Sequence, residues 1–299
     1  MYKKDIGYIG LGIMGKPMAK NLLDAGYSVV GHNRSRGPVD DLIAYGGTDA
    51  GSPKETAEKT DVIISCLPDS QTVEHILLGE DGVIEGASAD DTVIDMSTIS
   101  PPVAEAIGDE FSSEGIDFLD APISGGESGA VEGTLSIMIG GNEDAVEANR
   151  DVFETLGETI KYCGRGGAGQ ITKACNQLIV GGMIEIVAEG LVFAEKAGAD
   201  LEAVYDAVSG GSCRGFVMDH HGSHMLEGNF EPGFYASYQY KDLRYVTEAA
   251  EAYGAPIPST AVNHELFKSL VESGRGDDKN SAIITVLERL AGGAEARFD

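Results

Sequence analysis

From residue 5 to about residue 163, short apolar runs alternate with stretches in which apolar residues recur every three or four positions. The runs predict strands over 6–10, 28–32, 62–66, 92–96, 118–121, 135–139 and 159–162. The periodicity between them predicts helices over 18–25, 72–78, 103–111 and 145–156. Such alternation builds a parallel sheet covered by helices, so residues 1–164 read as a doubly wound α/β domain of Rossmann type. Beyond the Gly-rich stretch 164–169 the strand signals largely stop. One long helix is predicted over 170–197, followed by helices over 201–209, 241–252, 261–273 and 282–290, which makes 165–299 an all-α domain.

Composition narrows the class. An apolar fraction of 42% and a charged fraction of 23% are those of a folded globular chain. The 49 acidic against 21 basic residues leave a net charge of −28, which makes nucleic acid and anionic membrane surfaces poor partners. That excess, spread along the whole chain, reads as the hydrated surface of a halophilic protein, or as an unusually acidic mesophilic one. The chain enters its first apolar run at Ile6, with no room for a targeting segment, and no run of about 18 unbroken apolar residues suggests a membrane span. A cytoplasmic protein is expected.

The four cysteines, Cys66, Cys163, Cys175 and Cys213, form no C-x-x-C pair and read as reduced, mostly buried thiols. His220, His221 and His224 are the only cluster resembling metal ligands. A polar cluster at the surface or between domains is the preferred reading, and no metal is assigned.

The chemistry begins at Gly10-Leu11-Gly12-Ile13-Met14-Gly15, which follows the first predicted strand and opens the first helix. In that setting the glycines permit a tight turn, backbone approach to a pyrophosphate, and close helix-to-strand packing, with the phosphate at a helix N-terminus. A nicotinamide dinucleotide is the expected ligand. Where an NAD site ordinarily has an acid at the end of the second strand, this chain has Asn33-Arg34-Ser35. Arg34 can clamp a 2′-phosphate with help from Asn33 and Ser35, or stack on adenine. NADP(H) is therefore preferred, with NAD(H) possible. Leu67-Pro68 and Ser97-Thr98 follow two further strands and should flank the nicotinamide half, since ligands bind beyond the carboxyl ends of parallel strands.

On the long helix, Lys173, Asn176 and Gln177 lie at i, i+3 and i+4 and share one face. A Lys withdrawn from water has its pKa drawn from about 10.4 toward neutrality, where an ammonium can protonate a forming alkoxide. Taken alone, an exposed helical Lys is the commoner case.

The context comes from the whole chain, which resembles the β-hydroxyacid dehydrogenase family, related to 3-hydroxyisobutyrate dehydrogenase, from end to end. The resemblance is carried by GLGIMGKPMAKNLL, by DAPISGGESGAVEGTLSIMIGG over 120–141, by GAGQITKACNQ over 167–177 and by YKDLRYV over 240–246. It implies that Lys173 is the general acid/base and that Ser124, Gly125 and Gly126 hold a substrate carboxylate. It also implies that Lys241, followed by Asp242, contacts the nicotinamide end of the cofactor and the active site. Independently of the family, a hydroxyl and unobstructed backbone N–H groups suit a carboxylate, and Lys173 with Lys241 could supply positive charge to an otherwise acidic protein.

Within the family, the pair Asn176-Gln177 and the patterns Asn229-Phe230-Glu231-Pro232-Gly233-Phe234 and Glu265-Leu266-Phe267 resemble the branch that reduces tartronate semialdehyde. Tyr240 and Arg244 depart from that branch, and both could line the pocket. The reaction implied is reduction of a small 3-oxo carboxylate, or oxidation of its β-hydroxy acid, with Asn176 and Gln177 at the substrate. Alternatives are a 3-hydroxyisobutyrate or other β-hydroxy acid dehydrogenase, an imine reductase, disfavoured because Lys173 is present, and a non-catalytic cofactor-binding module. The family implies a homodimer or homotetramer.

Overall fold

The computed structural model describes residues 3–231 and 233–292. Residues 1–2, Pro232 of the 229–234 pattern, and 293–299 at the end of the expected second domain lie outside the described residues. The chain divides into two compact units, Met1–Lys173 and Ala174–Asp299.

In the first unit the strands are β1 (Asp5–Ile9), β2 (Ser28–His32), β3 (Thr48–Asp49), β4 (Val62–Ser65), β5 (Thr92–Asp95), β6 (Asp117–Asp120), β7 (Ile123–Ser124), β8 (Leu135–Gly140) and β9 (Gly157–Gly164). Among the described residues they form one sheet in the order β3-β2-β1-β4-β5-β6-β8-β7, with β9 beside β8. Strands β1 to β6 pair in parallel, whereas β8 runs antiparallel to β6 and β7. The Rossmann-type sheet is therefore present. The two-residue strands β3 and β7 are too short for an alternation signal, which is why the hydrophobic pattern does not announce them.

Burial on both sheet faces explains the continuous apolar runs. Along β4, β5 and β6, Val62, Ile64, Ile94 and Leu119 join one core with Ile6 and Tyr8, while Ile63, Val93 and Phe118 join a second with Ile9. The period of two thus sends alternate side chains into two layers, each covered by helices. These are α1 (Gly15–Asp24), α2 (Arg36–Ala44), α3 (Pro53–Glu58), α4 (Ser70–Leu78), α5 (Pro101–Ser113), α6 (Gly126–Glu132), α7 (Glu143–Ala148) and α8 (Arg150–Leu156). The single helix expected over 145–156 is two, because the buried Asn149 amide donates to Ala145 O at 2.9 Å and to Thr92 Oγ1 at 3.2 Å. Such side-chain bonding competes with helix propagation.

Helix α9 (Ala168–Lys196) starts in the first unit and continues into the second, where α10 (Leu201–Ser209), α11 (Ser223–Glu227), α12 (Ala236–Tyr253), α13 (Pro258–Leu270) and α14 (Ile283–Leu290) follow. The all-helical second half is as expected. Its core joins Ile184, Ala188, Leu191 and Val192 of α9 with Leu243, Phe267, Leu270 and Ile283. By length and mean hydropathy, 1.7 over its most apolar window, α9 is long and apolar enough to cross a membrane. A search for unbroken apolar runs overlooks it because Asn176, Gln177, Glu185 and Glu189 interrupt the pattern. In this fold Ile184, Ala188, Leu191 and Val192 of α9 join the core of the helical unit, while Ile179, Met183, Ile186 and Phe193 are exposed.

One expectation about the thiols is corrected. None of the four cysteines is in a disulfide, but Cys175 and Cys213 are exposed, and Cys66 and Cys163 are only half buried. Cys175 lies two residues from the buried Lys173 on α9, and so turns toward the opposite side of the helix.

Candidate active site

The sheet order reverses at β1, whose neighbours are β2 on one side and β4 on the other, and the glycine loop leaves β1 at that point. Crevices of this kind, outside the carboxyl ends of the strands, are where open α/β sheets bind ligands. Gly15, the first residue of α1, is packed so closely that a Cβ would lie 1.9 Å from Gly10 O. Gly12 and Ile13 are exposed, and a Cβ on Gly12 would meet nothing within 4 Å. The loop therefore presents bare backbone and the N-terminus of α1 outward, which suits a pyrophosphate.

Leu11 and Met14 are held inward, Leu11 fully and Met14 partly. The Leu11 N–H donates to Asn33 Oδ1 at 3.0 Å, and Asn33 Nδ2 donates to Ser35 Oγ at 2.9 Å. Asn33 thus braces the glycine loop against the β2 end. Arg34 is exposed beside it, while Arg36 is committed to Asp40 and Asp49.

On the other side of the crevice, the Leu67 N–H donates to Ser97 Oγ at 2.8 Å. Ser97 Oγ in turn donates to Asp95 Oδ1 at 2.6 Å, which also accepts from Ser65 Oγ at 2.7 Å. The loops carrying Leu67-Pro68 and Thr98 are thereby tied together. Ser97, one of the strand-end residues expected at the nicotinamide half, ties them together with Asp95, which the sequence pattern does not single out.

The loop after β7 reverses at Gly125 and Gly126, whose φ angles of +140° and +65° lie where side chains are disfavoured. It leaves Ser124 half buried and both glycines exposed. Lys173 is only 6% exposed, and its Nζ donates to Ile123 O at 2.8 Å. The ammonium is therefore fixed to the residue immediately before Ser124, so the lysine and the Ser-Gly-Gly loop meet across about 50 residues of sequence.

Asp120, at the end of β6, is fully buried and accepts from the Gly167 and Gln170 N–H groups, each at 2.8 Å. Burial pushes its carboxyl up to about 7, with the Asp95 charge adding to the rise, although the two N–H groups oppose it. The folded protein then holds a proton that the unfolded chain releases above about pH 4. This contribution to stability is present at low pH and lost as pH rises through 7. Asp120→Asn is expected to remove it, so that melting temperatures measured from about pH 5 to pH 8 fall less steeply in the variant than in wild type. Parallel slopes would contradict this.

In the second unit, Gln177 is 4% exposed and its Nε2 donates to Asp242 Oδ2 at 2.6 Å. Asp242 Oδ1 lies 3.2 Å from Lys241 Nζ, which also stands 5.2 Å from the centre of the Tyr245 ring. Gln177, Asp242 and Lys241 are thus brought together in one chain of contacts. Asn176 is half buried one position earlier. Tyr240 stacks on His264 at 5.0 Å, and Arg244 is exposed and pairs with Glu248.

The histidines are bound up within this unit. His221 Nδ1 is 2.9 Å from Ser281 Oγ, and His224 Nδ1 is 3.0 Å from Lys279 Nζ. Burial, with His220 and Lys279 nearby, depresses His221 to about 3. Among the described residues no three His, Cys, Asp or Glu side chains are placed to hold a metal.

A reversed-order parallel sheet with this glycine loop defines a dinucleotide-binding domain. Comparison with known proteins agrees: residues 5–164 match the family described as the NAD binding domain of 6-phosphogluconate dehydrogenase, and residues 167–287 match the NAD-binding domain of NADP-dependent 3-hydroxyisobutyrate dehydrogenase. The chain belongs to the 3-hydroxyisobutyrate dehydrogenase-like family of β-hydroxyacid dehydrogenases.

It is 41% identical over 287 residues to 2-hydroxy-3-oxopropionate reductase of Escherichia coli (strain K12), covering 96% of this chain and 98% of that one. The solved structure of Mycobacterium tuberculosis 3-hydroxyisobutyrate dehydrogenase with L-serine aligns at a TM-score of 0.88 and 31% identity, covering 96% and 99% of the two chains. Psf3, solved in complex with NADP+ and 2-OPP, aligns at 0.83 and 27% identity, covering 94% and 99%.

Proposed function

We propose that the protein is an NADP(H)-preferring reductase of a small 3-oxo carboxylate such as tartronate semialdehyde, running in reverse as a β-hydroxy acid dehydrogenase. The observation that carries this reading is the buried Lys173 ammonium held on the strand that leads into the Ser124-Gly125-Gly126 loop. The loop binds the substrate carboxylate through the Ser124 hydroxyl and open backbone N–H groups. Lys173 gives a proton to the carbonyl oxygen as it becomes an alkoxide, and takes it back in the oxidative direction. Asn176 keeps the lysine and substrate oxygen in register. Gln177 acts through Asp242, which steadies Lys241, and Tyr240 shapes the surroundings.

Gly10, Leu11, Gly12, Ile13, Met14 and Gly15 fit a pyrophosphate, because the loop leaves open the space over Gly12. Asn33, Arg34 and Ser35 are assigned to the adenosine 2′-phosphate, and Leu67, Pro68, Thr98 and Lys241 to the nicotinamide half. When bound, the cofactor supplies or accepts the hydride. The protein acts as a cytoplasmic homodimer or homotetramer. The 41% identity to 2-hydroxy-3-oxopropionate reductase supports tartronate semialdehyde, and the 0.88 TM-score to 3-hydroxyisobutyrate dehydrogenase supports the alternative, a branched β-hydroxy acid.

Initial rates with tartronate, succinic and methylmalonate semialdehydes, at low and molar potassium chloride, distinguish the two readings. Preference for the branched substrate would overturn the first. Arg34→Ala is expected to lower the NADPH-over-NADH preference in kcat/KM about 10- to 100-fold, as expected for loss of a charge-assisted bond. An unchanged ratio would remove Arg34 from the phosphate site.

A further inference from the structure

We infer that Asp120 and Gln170 form a buried clamp that sets the position of Lys173, acting as positioning residues for the proton transfer proposed above, on which the inference rests. Lys173 stands three residues after Gln170 on α9, so its place is decided by whatever holds the first turn of that helix. Asp120 holds it twice. One oxygen accepts from Gly167 N and the other from Gln170 N, both at 2.8 Å, and these are donors that a helix start cannot satisfy itself.

Gln170 adds a second anchorage through its side chain. Its Nε2 donates to Ser97 O at 2.8 Å, and its Oε1 accepts from Ile99 N at 3.1 Å. One amide therefore grips the backbone on both sides of Thr98. Ser97 continues the chain, since its Oγ is bonded to Asp95 and to Leu67 N. The lysine turn is thus linked through Gln170 to both loops assigned to the nicotinamide half.

The link has little slack. Asp95, Ser97, Asp120 and Gln170 are each no more than 2% exposed, so water does not compete for these bonds. A Cβ on Gly169 would lie 2.3 Å from Asp120 O and 2.5 Å from Met138 O, so the helix rests directly on the strand ends. Loosening the clamp moves the proton donor relative to the loops without removing any assigned substrate or cofactor contact. A displacement near 1 Å can cost about 100-fold in rate.

The test is a double-mutant cycle in the NADPH-loaded enzyme, with whichever semialdehyde wild type turns over. Gln170→Met, which keeps volume and deletes both side-chain bonds, is expected to lower kcat about 10- to 100-fold. The NADPH Kd and substrate KM should stay within about threefold, and the solvent deuterium isotope effect on kcat should rise as proton transfer becomes slower. Combining Gln170→Met with Lys173→Ala is expected to cost no more than Lys173→Ala alone, because what the clamp contributes to turnover is the place of the lysine. Asp120→Asn supplies the same cycle if Gln170→Met melts below assay temperature. Additive losses, or an unchanged kcat and isotope effect in the folded variants, would overturn the clamp. Wild-type activity in Lys173→Ala would instead overturn the proposed function, whatever the clamp variants do.

Discussion

Replacing Lys173 with alanine is expected to lower kcat/KM for a small 3-oxo carboxylate by about 100- to 10,000-fold, the range a positioned general acid contributes. NADPH should still bind, because none of the loop residues at the β1 end depends on the lysine. The structure makes the effect specific to one amine: Nζ is buried and bonded to Ile123 O. Lys173→Arg keeps the charge but offers a group that does not deprotonate in proteins, and so should recover substrate binding better than turnover. Steady-state rates paired with NADPH titration separate the two. Equal loss of cofactor affinity and turnover would mean that Lys173 serves the fold and not the chemistry.

The second large effect concerns the glycine loop, where two neighbouring glycines should fail in different ways. Gly15→Ala forces a Cβ to 1.9 Å from Gly10 O, a backbone atom that cannot yield without moving α1 off β1. The first unit should lose several kcal/mol, in the range of strongly overpacked sites, and yield little folded protein. Gly12→Ala meets nothing within 4 Å and should melt as wild type does. Its methyl would instead stand where a pyrophosphate approaches, weakening NADPH binding by about 10-fold or more. Thermal melting and cofactor titration of both variants check this. A destabilised Gly12→Ala, or a normally folded Gly15→Ala, would contradict the assigned loop geometry.

Much of this was legible in the sequence because it is local. The buried parallel strands read as apolar runs, and the glycine spacing could be placed on a strand-loop-helix segment. What was not legible has long-range partners. Asp120 reaches Gly167 and Gln170, 47 and 50 residues away, and Gln170 reaches Ser97 and Ile99 across more than 70. No periodicity or motif spacing encodes a buried carboxylate whose partners are backbone N–H groups. Gln177 shows the converse. Its helical spacing places it beside Lys173 in sequence, yet its amide is bonded to Asp242, a partner 65 residues away that spacing does not reveal.

The most direct measurement is turnover of tartronate semialdehyde by the folded wild-type enzyme, following NADPH consumption and glycerate formation together. Saturable conversion is expected, with one NADPH and one proton consumed for each semialdehyde reduced to glycerate. No turnover of this or a wider panel of 3-oxo carboxylates, by protein shown to be folded and to bind NADPH, would contradict it.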